Sequence, residues 1–109
     1  MPDITIVKTL RDQTNPSKGH HLEPAGGKLT RVTPGEIVTF RLGDGVLGLT
    51  IEFTGATPFG GHGPVNYDQP MKITAAVDAD SLRNFYKYSC RTSDGLSSTD
   101  GGEMEVVRP

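Results

Sequence analysis

Glycine and proline punctuate this chain so densely that no stretch is left for a long regular helix, and this narrows the fold more than any other property of the sequence. There are 14 Gly and 8 Pro in 109 residues. Proline removes an N–H and clashes with the preceding helical turn, and glycine gives up more backbone entropy than other residues when ordered. Between these breaks apolar residues recur at every second position, the period of a strand with one buried face. The clearest run sets Leu47, Leu49, Ile51 and Phe53 against Val46, Gly48, Thr50 and Glu52. Ile4, Ile6 and the stem of Lys8 alternate with Thr5, Val7 and Thr9, and Val38, Phe40 and Leu42 alternate with Ile37, Thr39 and Arg41. Tyr86, Tyr88 and Cys90 share a face opposite Lys87 and Ser89, while Met104 and Val106 share a face of the closing segment.

These patterns predict strands over residues 1–10, 28–32, 36–42, 46–53, 71–77, 85–90 and 103–107. Pro34-Gly35 reads as a hairpin turn between the second and third of them, and residues 80–83 as one helical turn. Segments 11–27, 55–70 and 91–102 read as long loops, the first displaying His20 and His21, the second Phe59, His62 and Tyr67. About seven short strands with turn signals between them, and no 3.6-residue period, predict an all-β antiparallel β-sandwich. Residues 1–109 are expected to form a single domain, since a chain of this size buries roughly two-thirds of its unfolded surface around one core.

Charge excludes further classes. Eleven Lys and Arg stand against 13 Asp and Glu, a formal charge of −2, and the basic residues from Lys8 to Arg108 form no run, so nucleic acid is not an expected partner. Apolar stretches such as Val46-Leu47-Gly48-Leu49 are far too short to span a bilayer, and no apolar signal region follows Met1, so a soluble chain is expected. The single Cys excludes an internal disulfide and leaves the compartment open: periplasmic or secreted if a leader was removed, otherwise cytoplasmic.

Three segments in order, Pro34-Gly35-Glu36-Ile37-Val38-Thr39-Phe40, Phe85-Tyr86-Lys87-Tyr88-Ser89-Cys90 and Gly101-Gly102-Glu103-Met104-Glu105-Val106-Val107, resemble the cupredoxin family. There a "PGxxVxF" strand precedes the first ligand loop, a "YxYxC" strand delivers the copper thiolate, and a Gly-containing turn leads into the final strand. The resemblance runs from about Lys28 to Val107 and implies a Greek-key sandwich. Immunoglobulin-like and fibronectin-like sandwiches are the fold alternatives. A type 1 site needs two imidazoles, a thiolate and a weak axial ligand, and only Cys90 carries over. The stretch Gly43-Asp44-Gly45-Val46-Leu47-Gly48 holds no His where the first is expected, Arg91-Thr92-Ser93-Asp94-Gly95 holds none where the second is expected, and Met104 falls inside the last predicted strand.

The resemblance therefore implies a cupredoxin-like scaffold without a copper site, with no cofactor, no metal and no catalytic residues. Its expected role is that of a non-catalytic binding or interaction module for a protein or small-molecule ligand, with recognition carried by the three long loops. The alternative is a copper-binding or electron-transfer protein with an atypical site assembled from Cys90, His62 and His20 or His21.

Read as residues alone, Cys90 is a small hydrophobe beside two tyrosines, or a nucleophile that would need an imidazole such as His62 within reach. Consecutive residues on an extended chain point in opposite directions, so His20 and His21 meet one ion only if their loop folds around it. The Gly60-Gly61-His62-Gly63 cluster lacks the Lys-Ser/Thr of a phosphate loop. Ser93, Asp94, Ser97, Ser98, Thr99, Asp100 and Glu103 could offer oxygens to calcium, but without EF-hand spacing they also suit ordinary turns. An enzyme has no nameable constellation; Cys90, His62 and Asp94 are its only starting points. Phe59 and Tyr67 either meet a partner or cap one end of the core.

Overall fold

The two-residue alternation is realised as strands throughout. The computed structural model describes residues 3–98 and 101–109 and contains, among them, nine strands and no α-helix. They are β1 (Asp3–Leu10), β2 (His20–Pro24), β3 (Leu29–Val32), β4 (Ile37–Leu42), β5 (Thr50–Ala56), β6 (His62–Asn66), β7 (Met71–Lys72), β8 (Phe85–Arg91) and β9 (Gly102–Val106). A four-stranded sheet has the order β2-β1-β4-β7 and a five-stranded sheet the order β3-β9-β8-β5-β6. No helix among the described residues is long and apolar enough to cross a membrane.

The inward faces enclose one core. Ile6, Val38 and Phe40 from one sheet and Ile51, Met104 and Val106 from the other are almost wholly buried, each such side chain stabilising the fold by about 1.5–3 kcal/mol. Rings tie the layers together: Tyr88 stands edge-on to Phe40 at 5.3 Å and tilted against Phe53 at 5.3 Å, and Phe53 meets Phe59 edge-on at 5.9 Å. Tyr88 and Cys90 point inward together, as the alternation predicts, with Lys87 and Ser89 outward.

The sandwich departs from the expected pattern in several places. Its sheets are mixed: β1 runs parallel to β4, and β3 parallel to β9. The Pro34-Gly35 turn forms, with Gly35 at φ +89° and the Glu36 N–H donating to the Thr33 carbonyl at 3.1 Å, but it makes no hairpin. It carries the chain from β3 in one sheet to β4 in the other, because Val32 and Val38 must both reach the shared core. Segment 11–27 is not all loop: Leu22 and Pro24 are buried on β2, which pairs with β1. The 55–70 segment contains β6. The predicted 46–53 strand starts only at Thr50, since Gly48 at φ +72° turns the chain; Val46 then faces inward and Leu47 stands 61% exposed. The 71–77 strand shrinks to Met71–Lys72, and the helical turn is a 3-10 turn over Ser81–Asn84, capped by Asp80.

Candidate functional site

Cys90 lies within β8 opposite Ile51, and its backbone is fully engaged. Its N–H donates to Ser98 Oγ and its carbonyl accepts from the Ser98 N–H, both at 2.9 Å. With 4% exposure, burial pushes the thiol from an ordinary value of 9.0 up to about 12, so at neutral pH it is a protonated thiol rather than the thiolate that binds metals or attacks carbon. The two loops where the resemblance expects imidazoles are fastened to one another, because Ser93 donates to the Leu47 carbonyl from both its N–H, at 3.3 Å, and its Oγ, at 2.7 Å.

His20 and His21 are consecutive residues of β2, half-buried on opposite faces of the four-stranded sheet, and His21 Nε2 stands 3.9 Å from Glu23 Oε2. His62 opens β6 opposite Ala56, whereas Cys90 is opposite Ile51. The two backbone positions are thus five residues apart along β5, on the strands to either side of it, roughly 15 Å of sheet. The expectation for the His62 side chain lies outside the described residues, as do Thr99 and Asp100. Among the described residues no group of three or more His, Cys, Asp or Glu side chains is placed to hold a metal ion.

The described polar groups of the oxygen-rich loop are engaged within its own turn and with neighbouring backbone. Thr92 Oγ1 donates to the Asp94 carboxylate and accepts the Leu96 N–H, the Thr92 N–H donates to the Leu96 carbonyl, and the Ser97 carbonyl accepts the Leu22 N–H. Asp94 is therefore occupied within the turn, and Glu103 lies on the outer face of β9 opposite Lys87.

Two grooves remain. One, of about 520 Å³, crosses the outer face of the five-stranded sheet, where Leu82 and Phe85 border Lys87 and Glu103. Leu82 is 78% exposed there, and the two charges oppose one another across β8 and β9. The other, of about 310 Å³, lies between β6 and β7, one edge strand of each sheet. Its lining includes Phe59, Val65 and Met71, the buried Thr57, whose hydroxyl donates to the Gly60 carbonyl, and the exposed polar residues Asn66, Gln69 and Thr74. The turn joining β6 to β7 is held firmly. Asp68 adopts φ +59°, the one non-glycine with positive φ among the described residues, and its N–H donates to the Phe40 carbonyl at 2.7 Å. Its carboxylate reaches Arg41 Nη1 at 3.4 Å, and Asn66 Nδ2 donates to Gln69 Oε1 at 3.3 Å. A non-glycine in this region costs on the order of 1 kcal/mol and persists only where its surroundings fix it. On this turn Tyr67 stands 37% exposed, while Phe59, of the same segment, packs against the core.

Of the aromatic pair singled out in the sequence, then, Phe59 caps the core and Tyr67 is displayed. The amides of Asn66 and Gln69 carry no sequence signal beyond their position beside a tyrosine in a Gly- and Pro-rich segment. Comparison of the chain with protein-family models, with curated proteins and with solved structures finds no match.

Proposed function

We propose that the protein is a non-catalytic binding module on a cupredoxin-like Greek-key sandwich that lacks a type 1 copper site. Residues 34–40 lead into β4, Phe85–Cys90 makes up most of β8, and residues 101–107 contain β9, so the three resembling segments occupy one strand of the first sheet and two adjacent strands of the second. The repeated passage of the chain between sheets, with β1 beside β4 and β3 beside β9, supports the Greek-key path. The direct fastening of Ser93 to Leu47 and the buried, protonated Cys90 support a scaffold without the copper function.

The observation that carries the binding reading is the groove between β6 and β7, lined by Asn66 and Gln69 of the turn that also displays Tyr67. A protein fixes a backbone in a costly conformation where the geometry it presents matters, and an exposed aromatic beside a concave surface is a common recognition element. Amide chemical-shift mapping of the isotopically labelled chain against peptide, metabolite and glycan mixtures tests it. Perturbations are expected to cluster on residues 57–74; a ligand that instead perturbs Leu82, Phe85 and Lys87 would place recognition on the opposite groove and refute this site. Copper titration tests the scaffold half of the reading. No thiolate-to-copper band is expected near about 600 nm, and an intense band that vanishes in Cys90→Ser would establish the copper-binding alternative.

A further inference from the structure

We infer that Asp44 is a site of spontaneous covalent modification, at which the Asp44-Gly45 linkage rearranges to isoaspartate. Among the described aspartates, Asp44 alone has a carboxylate with neither a hydrogen bond nor an ion pair. The others are engaged: Asp3 and Asp68 with Arg41, and Asp12, Asp78, Asp80 and Asp94 with groups of their own turns. Asp44 and Gly45 are the exposed central residues of a turn that the Val46 N–H closes by donating to the Gly43 carbonyl at 3.2 Å. The Gly45 N–H has no acceptor among the described residues, and no Cβ shields its nitrogen. Electrophile and nucleophile are thus adjacent, exposed and both unengaged.

Water is the only co-reactant. The Gly45 nitrogen attacks Cγ of the protonated Asp44 carboxyl; the new N–Cγ bond closes a succinimide ring, the Cγ–OH bond breaks, and the hydroxyl leaves with the Gly45 amide proton as water. Hydrolysis returns that water, and opening at the Asp44 backbone carbonyl leaves the chain running through Cγ with a free α-carboxylate. The chain is anchored on both sides of the turn, by the Gly43 N–H on the Ile6 carbonyl at 2.8 Å and by Ser93 on the Leu47 carbonyl, so the inserted methylene is confined to an exposed tip. The same dipeptide occurs at Asp94-Gly95, also in an exposed turn, with the opposite expectation. There Thr92 Oγ1 donates to the Asp94 carboxylate and the Gly95 N–H donates to the Thr92 carbonyl at 3.3 Å, so ring closure must break both bonds.

Prolonged incubation of the full chain at mildly acidic pH, followed by peptide mapping with electron-transfer fragmentation, counts isoaspartate at each position. Asp44 is expected to accumulate it about tenfold or more faster than Asp94, the rate equivalent of the bonds that Asp94 must break. In guanidinium chloride, where both turns are lost, the two sites should isomerise at similar rates. Asp44→Asn should undergo the same attack with ammonia as leaving group, and acquire the mass gain of deamidation faster than Asp94→Asn by a comparable factor. Both positions are exposed, so thermal unfolding of each variant should match that of the parent chain. Accumulation at Asp94 equal to or faster than at Asp44 in the folded chain overturns the inference, as does failure of Asp44 to isomerise there. A preference for Asp44 that persists undiminished in denaturant overturns it as well, because the local sequence and not the fold would then set the rate.

Discussion

Tyr88 carries its ring into the centre of the sandwich and leaves its hydroxyl there without a hydrogen-bond partner. The ring lies across Gly102, its neighbour on β9, and a Cβ at that position would overlap the Cζ and hydroxyl of Tyr88. Glycine is thus required at 102 for close approach, in a strand where it would otherwise be a poor choice. Two stability changes of opposite sign follow. Tyr88→Phe keeps the ring and removes the unsatisfied oxygen, and should stabilise the fold by about 1 kcal/mol. Gly102→Ala must displace the ring and should cost about 2–3 kcal/mol. Urea unfolding of the two variants measures both. Cys90 supplies a pH dependence whose sign is fixed by its raised pKa. The unfolded thiol ionises near its ordinary 9.0 while the folded thiol holds its proton to about 12, so above pH 9 the unfolded chain binds fewer protons and stability falls as pH rises toward 12. Burial also raises Tyr88 from its ordinary 10.0, which extends the alkaline loss beyond the range where Cys90 alone acts. Between about pH 8 and about pH 10 the parent chain should lose about 1.4 kcal/mol more than Cys90→Ala, read from urea midpoints at each pH.

At the scale of elements, the connection from β7 to β8 depends on one buried amide. Asn84 is 7% exposed; its Oδ1 accepts the Asp78 N–H at 2.7 Å and its Nδ2 donates to the Asp78 carbonyl at 3.0 Å. Asn84→Ala leaves both backbone groups of Asp78 unpaired and should destabilise by about 2 kcal/mol, with faster amide exchange at Asp78 as the local signature. The same scale explains what the sequence made legible. β8 and β9 could be read residue by residue because each has one face in the core and one in water, so Tyr88, Cys90, Met104 and Val106 show the period directly. β2 and β6 escaped because they are edge strands: Pro24 in one, Gly63 and Pro64 in the other, are tolerated where a ladder bond can be missing, and the same residues spell a loop when read locally. Turn chemistry at Pro34-Gly35 predicts a β3–β4 hairpin, and none forms because a turn does not encode which sheet receives its second strand. The candidate groove was invisible for a related reason. Tyr67 could be picked out as an aromatic in a loop, but Asn66, Gln69 and Thr74 become one surface only when the edges of two sheets are brought together.

For the whole molecule, the parallel pairings matter more than any single strand. β9, at the end of the chain, lies between β3 and β8, and β1, at its start, lies between β2 and β4, so each sheet is closed by segments far apart in sequence. Neither sheet can be completed from one half of the chain, and both bury their inward faces in the same core. Such non-local pairing must overcome loop-closure entropy before it is rewarded, which places folding in the slower range of small domains, on the order of milliseconds to seconds. It also makes partial structures poor. Removing residues 102–109 takes away the only ladder partner that β3 has among the described residues, together with Met104 and Val106, so the shortened chain should lose its cooperative transition and its dispersed amide spectrum rather than keep a smaller sandwich. In the intact chain the shared core predicts one transition. Tyr86 and Tyr88 both sit in β8 of the five-stranded sheet, so tyrosine fluorescence reports chiefly on that layer, whereas far-ultraviolet circular dichroism reports on both. The two urea midpoints should coincide; a circular-dichroism change that persists after the tyrosine signal is complete would mean that the four-stranded layer survives alone, and that the rings of Phe40, Phe53 and Tyr88 do not couple the sheets.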